Sequence, residues 1–243
     1  MRMKSFAKTD IGKAREINQD YYYIPKPEED LKLFILADGM GGYNGGEVAS
    51  KLAIESAKKY IQTNFPQIVH TKEDILKLIQ SAMEYANMVV YEKSKNEKEL
   101  EGMGTTLDIC FIYNNKIYIG HVGDSRIYRI RGEVIRKLTK DHSYVQQLVE
   151  DGKITREEAN HHPKKNMLMK ALGCTAYVEP DIRARNLENG DILIMCSDGL
   201  TNMVEEKQIY EIVKENPELA PEKLVNLANN AGGYDNITVI TIL

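Results

Sequence analysis

A layered α/β fold, with antiparallel sheets packed together and helices outside, is what this 243-residue sequence predicts. Three observations carry the prediction. Residues 105–138 alternate apolar and polar with period two, two amphipathic helical patterns precede them, and a strand block, a helix pair and a last strand follow. Strands that meet at tight turns make antiparallel sheets, and an amphipathic helix needs a neighbouring layer on which to bury its stripe.

In order along the chain, strand-like segments come first at 3–9, 20–24 and 31–37, rich in aromatic and β-branched residues and broken by Pro25 and Pro27. A helix follows, because Val48, Leu52, Ala53, Ser56, Ala57, Tyr60 and Ile61 recur at three and four residues and leave Lys and Glu outside. A second begins near Thr71, where Thr-Lys-Glu-Asp resembles a capping box, and runs to about Glu92 through Ile75, Ile79, Ala82, Met83, Ala86 and Val90. TTLDICFIY and KIYIGHV then meet at Asn114-Asn115, and SRIYRIR and EVIRKLT meet near Gly132, as two hairpins. Residues 140–173 are polar, with short helical patterns and methionines near 167–169, a composition suited to a flap. Strands return at 177–187 and 190–196, and helices at about 205–215 and 221–230, Pro221 suiting a first helical turn. ITVITI closes the chain. With no linker and no repeat of fixed period, one domain over residues 1–243 is expected.

At 42% hydrophobic residues the chain can bury a full core. The net charge of −4 and the scatter of its basic residues argue against a surface that tracks nucleic-acid phosphates. The absence of Trp and the presence of only four Phe leave few rings for base stacking. MRMKSFAKTDIG lacks the apolar core of a signal peptide, and no stretch approaches the ~18 apolar residues of a membrane span. A cytoplasmic protein without membrane contact is therefore expected. Cys110, Cys174 and Cys196 are odd in number and widely spaced, which opposes a disulfide framework or structural zinc; Cys110 and Cys196 read as buried small hydrophobes. His161-His162 sits in a polar segment and reads as non-ligating.

The chemistry is concentrated in five aspartates at the mouths of predicted strands, Asp20, Asp38, Asp124, Asp198 and Asp235. Alone, each is most simply a turn or cap residue. Together, if the strands share a sheet, their carboxylates converge, and such a group either retains protons or gathers divalent cations. Cations are the expected answer. The glycine-rich loop ADGMGGYNGGEVAS fits no nucleotide-binding turn: counting from Gly39, G-x-G-x-x-G would need glycine at Asn44, and no Gly-Lys-Ser/Thr is present. Asp38 would also repel a pyrophosphate unless a metal lay between them.

Seven strings occur in register: TDIGKAREINQD, with Arg15 five residues ahead of Asp20; Asp38-Gly39-Met40-Gly41-Gly42; GMGTTL; Gly123-Asp124-Ser125-Arg126; DHSYVQQLVEDGKITREEANHHPKKNMLMKALG; Ser197-Asp198-Gly199; and Asp235-Asn236-Ile237-Thr238. In order and spacing they resemble the metal-dependent type 2C (PPM family) serine/threonine protein phosphatases, and more closely their bacterial branch, over Thr9 to Thr238. The resemblance implies an αββα sandwich of two mainly antiparallel sheets flanked by helix pairs, with two manganese or magnesium ions between the sheets and a third, weaker site. Carried over by position, Asp38 would bridge the two ions, with the Gly39 carbonyl on one and Asp198 and Asp235 on the other. Asp20 would act through a water, Asp124 with Asp198 would serve the third ion, and Arg15 would grip the substrate phosphate. All-oxygen ligands suit magnesium or manganese rather than zinc.

The expected reaction is hydrolysis of phosphoserine or phosphothreonine monoesters in one displacement by a hydroxide shared between the metals. Two positions depart from the family pattern. Met40 stands where eukaryotic members have histidine, so another group must protonate the leaving oxygen, and Tyr43 stands where bacterial members commonly have histidine. These departures motivate the alternative of a phosphoprotein-binding pseudophosphatase; a metal-dependent nuclease is disfavoured by the missing basic track. The partners implied are phosphoproteins and a serine/threonine kinase, with no nucleic acid, and a monomer is expected.

Overall fold

The computed structural model describes residues 3–40 and 45–243, so Tyr43 lies outside the described residues. The first third contributes β1 (Ser5–Asp10), β2 (Asp20–Tyr23), β3 (Lys32–Met40), α1 (Gly46–Asn64) and α2 (Lys72–Asn96). The middle gives β4 (Gly104–Thr105), β5 (Leu107–Tyr113), β6 (Lys116–Val122), β7 (Arg126–Arg131) and β8 (Val134–Lys137), then the short helices α3 (Tyr144–Glu150) and α4 (Arg156–His161). β9 (Asp181–Asn186), β10 (Ile192–Cys196), α5 (Asp198–Thr201), α6 (Glu206–Glu215), α7 (Ala220–Asn230) and β11 (Ile237–Ile242) complete the chain.

Two antiparallel sheets result. One has the order β1-β11-β10-β7-β8, the other β2-β3-β5-β6-β9 with β4 added beside β3. Alternation decides which layer each side chain enters. On β3, Leu33, Ile35 and Ala37 face α1 and α2, whereas Phe34 and Leu36 face the other sheet. On β10, Ile194 and Cys196 face the α6–α7 layer, while Leu193 and Met195 point to the sheet interface. The strands are apolar on both faces because both faces are covered, which gives the αββα sandwich its three apolar layers.

The hairpin turn at Asn114-Asn115 has both residues at positive φ, 46° and 55°, the conformation that a two-residue turn of matching twist demands. Thr71 caps α2 by accepting the Asp74 N–H at 3.1 Å. That helix runs past the expected Glu92 to Asn96, with Lys93 and Lys95 in a last turn that favours cations. β3 also runs further than its apolar run indicates, because β4 pairs with Gly39 and Met40. Asp38 therefore lies inside a strand rather than at its mouth. Residues 177–180 are not strand; Pro180 has no N–H to give a ladder.

Residues 140–173 leave the first sheet after β8 and are held at their base by bridges Ser143↔Leu168 and Thr105↔Leu172. Cys110 and Cys196 are buried, and all three thiols are free. His161 is exposed, and the His162 Nδ1 accepts the Lys164 N–H at 3.1 Å. No helix among the described residues is long and apolar enough to cross a membrane.

Candidate metal centre

The acidic residues of both sheets meet at one end of the sandwich. Asp20 is the register partner of Asp38 across β2 and β3, so the two carboxylates stand on the same face. The Asp38 backbone is fixed on both sides: its N–H donates to the Thr106 hydroxyl at 2.9 Å, and its carbonyl accepts the Thr106 N–H and the Thr105 hydroxyl, each at 2.9 Å. The Thr106 hydroxyl is also 3.0 Å from that of Ser125, beside Asp124. Gly123 turns the chain into Asp124 at a φ of 118°, which favours glycine.

From the other sheet, Asp198 opens α5, where its Oδ2 accepts from Asn202 Nδ2 at 3.0 Å. Asp235 precedes β11, and its Oδ2 accepts from Arg15 Nη2 at 2.8 Å. Asn236 holds the loop that presents Arg15. Its Nδ2 donates to the carbonyls of Ile11 and Ile17 at 2.9 and 3.0 Å, and its Oδ1 accepts the Gln19 N–H at 2.8 Å. Asp20 joins the two sheets, since its Oδ2 accepts both the Ser197 and the Thr238 hydroxyls at 2.7 Å.

Both Asp-Gly steps are steric requirements as well as motifs. A Cβ on Gly39 would lie 2.1 Å from the Gly46 carbonyl oxygen and 2.6 Å from that of Gln19. One on Gly199 would lie 2.0 Å from the Asn236 carbonyl oxygen. In each case a second backbone segment crosses where a side chain would start, which brings the acidic residues on the two segments together.

A cavity of about 250 Å³ is lined by Arg15, Asp38, Gly39, Asp124, Asp198 and Asp235 together with Gln19, Thr106 and Asn166. Asp20 lies behind it, buried. Every residue expected at the site from the sequence is thus in or against one pocket. Charge accumulates there. Burial, then the neighbouring Asp20 and Asp198, push the Asp38 carboxyl well above the usual carboxylate range, and burial with Asp198 does the same to Asp124. Burial raises Asp20 to about 7 against the opposing hydrogen bonds from Thr238 and Ser197, and burial with Asp235 raises Asp198 to about 6.

Divalent cations fit this donor set. The donors are hard oxygens, no histidine or cysteine lines the pocket among the described residues, and the buried Asp20 Oδ1 has no hydrogen-bond partner among them. Among the described residues no three His, Cys, Asp or Glu side chains already ring a single point as ligands of one ion would. Asp235 is turned to Arg15 and Asp198 to Asn202 instead. The fold gathers the acids without imposing a finished coordination shell.

A pH dependence follows from the raised carboxyls. Between the ordinary carboxylate range near 3.9 and about 7, the folded chain without cations holds protons that the unfolded chain has released. That stabilising contribution is complete below the unfolded range and lost as pH rises through 6 to 7. The chelated protein is expected to melt at least about 4 °C lower at pH 8 than at pH 5, at roughly 2–4 °C per kcal/mol for this size. Manganese should raise Tm more at pH 8. Calorimetry at the two pH values checks this, and a chelated Tm that rises with pH would refute it.

Sequence reasoning did not single out Ser197, Thr238, Thr106 or Asn236, although all four adjoin or lie within quoted motifs. It also passed over a buried pair, His121 and Asp108, whose Nδ1 and Oδ1 are 2.6 Å apart. Burial lowers the His121 pKa, but Asp108 outweighs it and holds the imidazole above its ordinary value. Counting outward from the Asn114-Asn115 turn pairs these two residues, so a signal was present.

Comparison with known proteins places this geometry. A family profile described as Protein phosphatase 2C matches residues 12–222. The chain is 39% identical over 239 residues to the protein phosphatase PhpP of Streptococcus pneumoniae serotype 2, covering 96% of this chain and 94% of that one. The crystal structure of the Mycobacterium tuberculosis serine/threonine phosphatase PstP/Ppp superposes with a TM-score of 0.88 at 36% identity, over 99% of this chain and 97% of that one. The catalytic domain of the serine/threonine protein phosphatase PstP in complex with two manganese ions superposes with a TM-score of 0.86 at 34% identity, over 99% and 97%.

Proposed function

Because this chain belongs to the protein phosphatase 2C family, in its bacterial branch, we propose that it is a manganese- or magnesium-dependent protein phosphatase that hydrolyses phosphoserine and phosphothreonine monoesters. The observation that carries the reading is the convergence of Asp38, Asp124, Asp198 and Asp235 on one pocket, with Asp20 behind and Arg15 at its rim. Nothing in the described acidic set is missing that would favour binding without turnover.

Within this reading Asp38, the Gly39 carbonyl, Asp198 and Asp235 would hold two ions, Asp38 contributing to both, the Gly39 carbonyl to one and Asp198 with Asp235 to the other. Asp20 would act through a water, and Asp124 with Asp198 would hold a third, weaker ion. When bound, the cations would supply an activated water and absorb charge on the phosphoryl oxygens. Arg15 orients the phosphate with its planar fork of donors, and its ion pair with Asp235 keeps the guanidinium at the rim before substrate arrives. Burial of Ser197 and Thr238 keeps Asp20 fixed from behind. Met40 has no proton to give, so the leaving oxygen takes its proton from another group.

We read residues 1–243 as one catalytic domain with 140–173 as its flap, acting as a cytoplasmic monomer on targets of a serine/threonine kinase. The short helices and the two bridges at the base of 140–173 support the flap. The test is release of phosphate from a phosphothreonine peptide and from p-nitrophenyl phosphate with manganese, with and without chelator, compared with mononucleotides. No chelator-sensitive release, or preference for the nucleotides, would overturn it.

Two variants divide the roles. Arg15→Ala is expected to raise KM about tenfold with kcat within about threefold, because it removes binding rather than the ions; an unchanged KM would dismiss its phosphate role. Asp124→Ala is expected to lower kcat about tenfold or more while titration calorimetry with manganese still finds two tight ions. Loss of those two would reassign Asp124.

A further inference from the structure

The acidic pocket opens through Asp124, Asn166 and Asp198 onto a larger groove of about 810 Å³, walled on one side by β7 and β8 and on the other by the 143–166 segment. That volume is in the upper part of the roughly 300–1,000 Å³ typical of ligand sites. Six basic side chains line the groove, Arg126, Arg136, Lys137, Lys140, Arg156 and Lys165, in a chain whose net charge is −4. Arg126 and Lys137 are paired with Asp141, and Lys140 with Glu150. Arg136, Arg156 and Lys165 make no side-chain ion pair or hydrogen bond among the described residues. They come from β8, from α4 and from the return of the 140–173 segment. Outside the acidic pocket, Glu206 is the one lining carboxylate without an ion pair among the described residues.

Unpaired cations on facing walls of a groove focus a field on its interior and draw in anionic chain segments. Guanidinium groups hold carboxylates and phosphates through two parallel hydrogen bonds, with a directionality that a lysine ammonium lacks. We propose that this groove binds the acidic flank of the phosphoprotein segment being dephosphorylated, with Arg136 and Arg156 as the specificity-determining residues. An extended chain advances about 3.3 Å per residue, so acidic side chains a few residues from the phosphate reach the groove while the phosphate occupies the metal pocket. The proposal deepens the phosphatase reading and rests on it.

The experiment measures kcat/KM with manganese on three substrates: a phosphothreonine peptide flanked by glutamates on both sides, the same peptide flanked by glutamines, and p-nitrophenyl phosphate, too small to engage the groove. The unmodified protein is expected to prefer the acidic peptide at least about fivefold at low salt and to lose the preference in 0.5 M salt, where the screening length is only a few ångströms. The double variant Arg136→Gln/Arg156→Gln is expected to abolish the preference and leave p-nitrophenyl phosphate hydrolysis unchanged. Arg136→Glu alone should invert it. No preference in the unmodified protein, or equal loss on all three substrates in a variant with unaltered Tm, overturns the groove assignment. Inactivity of the unmodified protein on p-nitrophenyl phosphate would instead sink the phosphatase reading.

Discussion

Replacing Asp38 with asparagine is expected to lower kcat at least about a thousandfold and to remove tight manganese binding. One preorganised electrostatic group at a reacting centre is commonly worth 10²–10³, and a carboxylate that held two ions, as proposed for Asp38, would act on both. The change is nearly isosteric, and the Asp38 backbone stays fixed by Thr105 and Thr106. Loss of turnover would therefore report lost charge rather than misfolding. A second readout makes the case sharper. Because burial and its acidic neighbours hold the Asp38 carboxyl well above the usual range, a neutral amide relieves repulsion in the chelated protein. The chelated variant should melt no lower than the unmodified protein at pH 8, the usual trade of stability against activity at a strained site. Steady-state kinetics, titration calorimetry and calorimetric melting test the three statements; a kcat within tenfold of the original would show that Asp38 is not the shared ligand.

Gly199→Ala is expected to destabilise the protein by about 3 kcal/mol or more and to lower Tm by roughly 6–12 °C. The added Cβ would meet the Asn236 carbonyl oxygen at 2.0 Å and its carbon at 3.0 Å, and backbone cannot turn aside as the tip of a long side chain can. Relief has to come from parting α5 and the start of β11, which carries Asp198 away from Asp235. Manganese affinity should fall with stability. Gly132→Ala, at a φ of 58° with open space around it, is expected to lose only about 1 kcal/mol. Equal Tm values for the two variants would show that the close crossing at Gly199 yields easily.

The fold was legible wherever local periodicity decides structure. The Asn114-Asn115 turn fixes a hairpin register, and that register alone pairs Asp108 with His121. The helical stripes were equally plain, although in α1 the buried face centres on Ala49, Ala53, Ile54, Ala57 and Ile61, leaving Leu52 and Tyr60 half-buried. Small residues carry that face because α1 lies close on β3, and apolar spacing says little about how near two layers approach.

The site was legible as a set of acids, through motif resemblance, but not as a set of contacts. Asp20 meets Ser197 and Thr238 across 177 and 218 residues, and no local pattern selects those partners from the other hydroxyls of the chain. Nor does a pattern of apolar residues foresee that β4 lengthens β3 past Asp38, since two residues carry too little periodicity to register. The groove beside β8 was invisible for a related reason. Its cations are dispersed from Arg126 to Lys165, and only the return of the 140–173 segment sets them opposite one another.

The placement of Asp20 between the two sheets bears on how long the protein survives in a cell. Its hydroxyl partners belong to one sheet and its own strand to the other, and the acidic pocket draws on both in the same way. If the acids of both sheets hold the proposed ions, an excursion that lets the layers come apart would have to shed them, and cation supply would act as a clasp on the sandwich as a whole. Under metal starvation the chain would become both inactive and easier for proteases to cut, so that its abundance and its activity fall together.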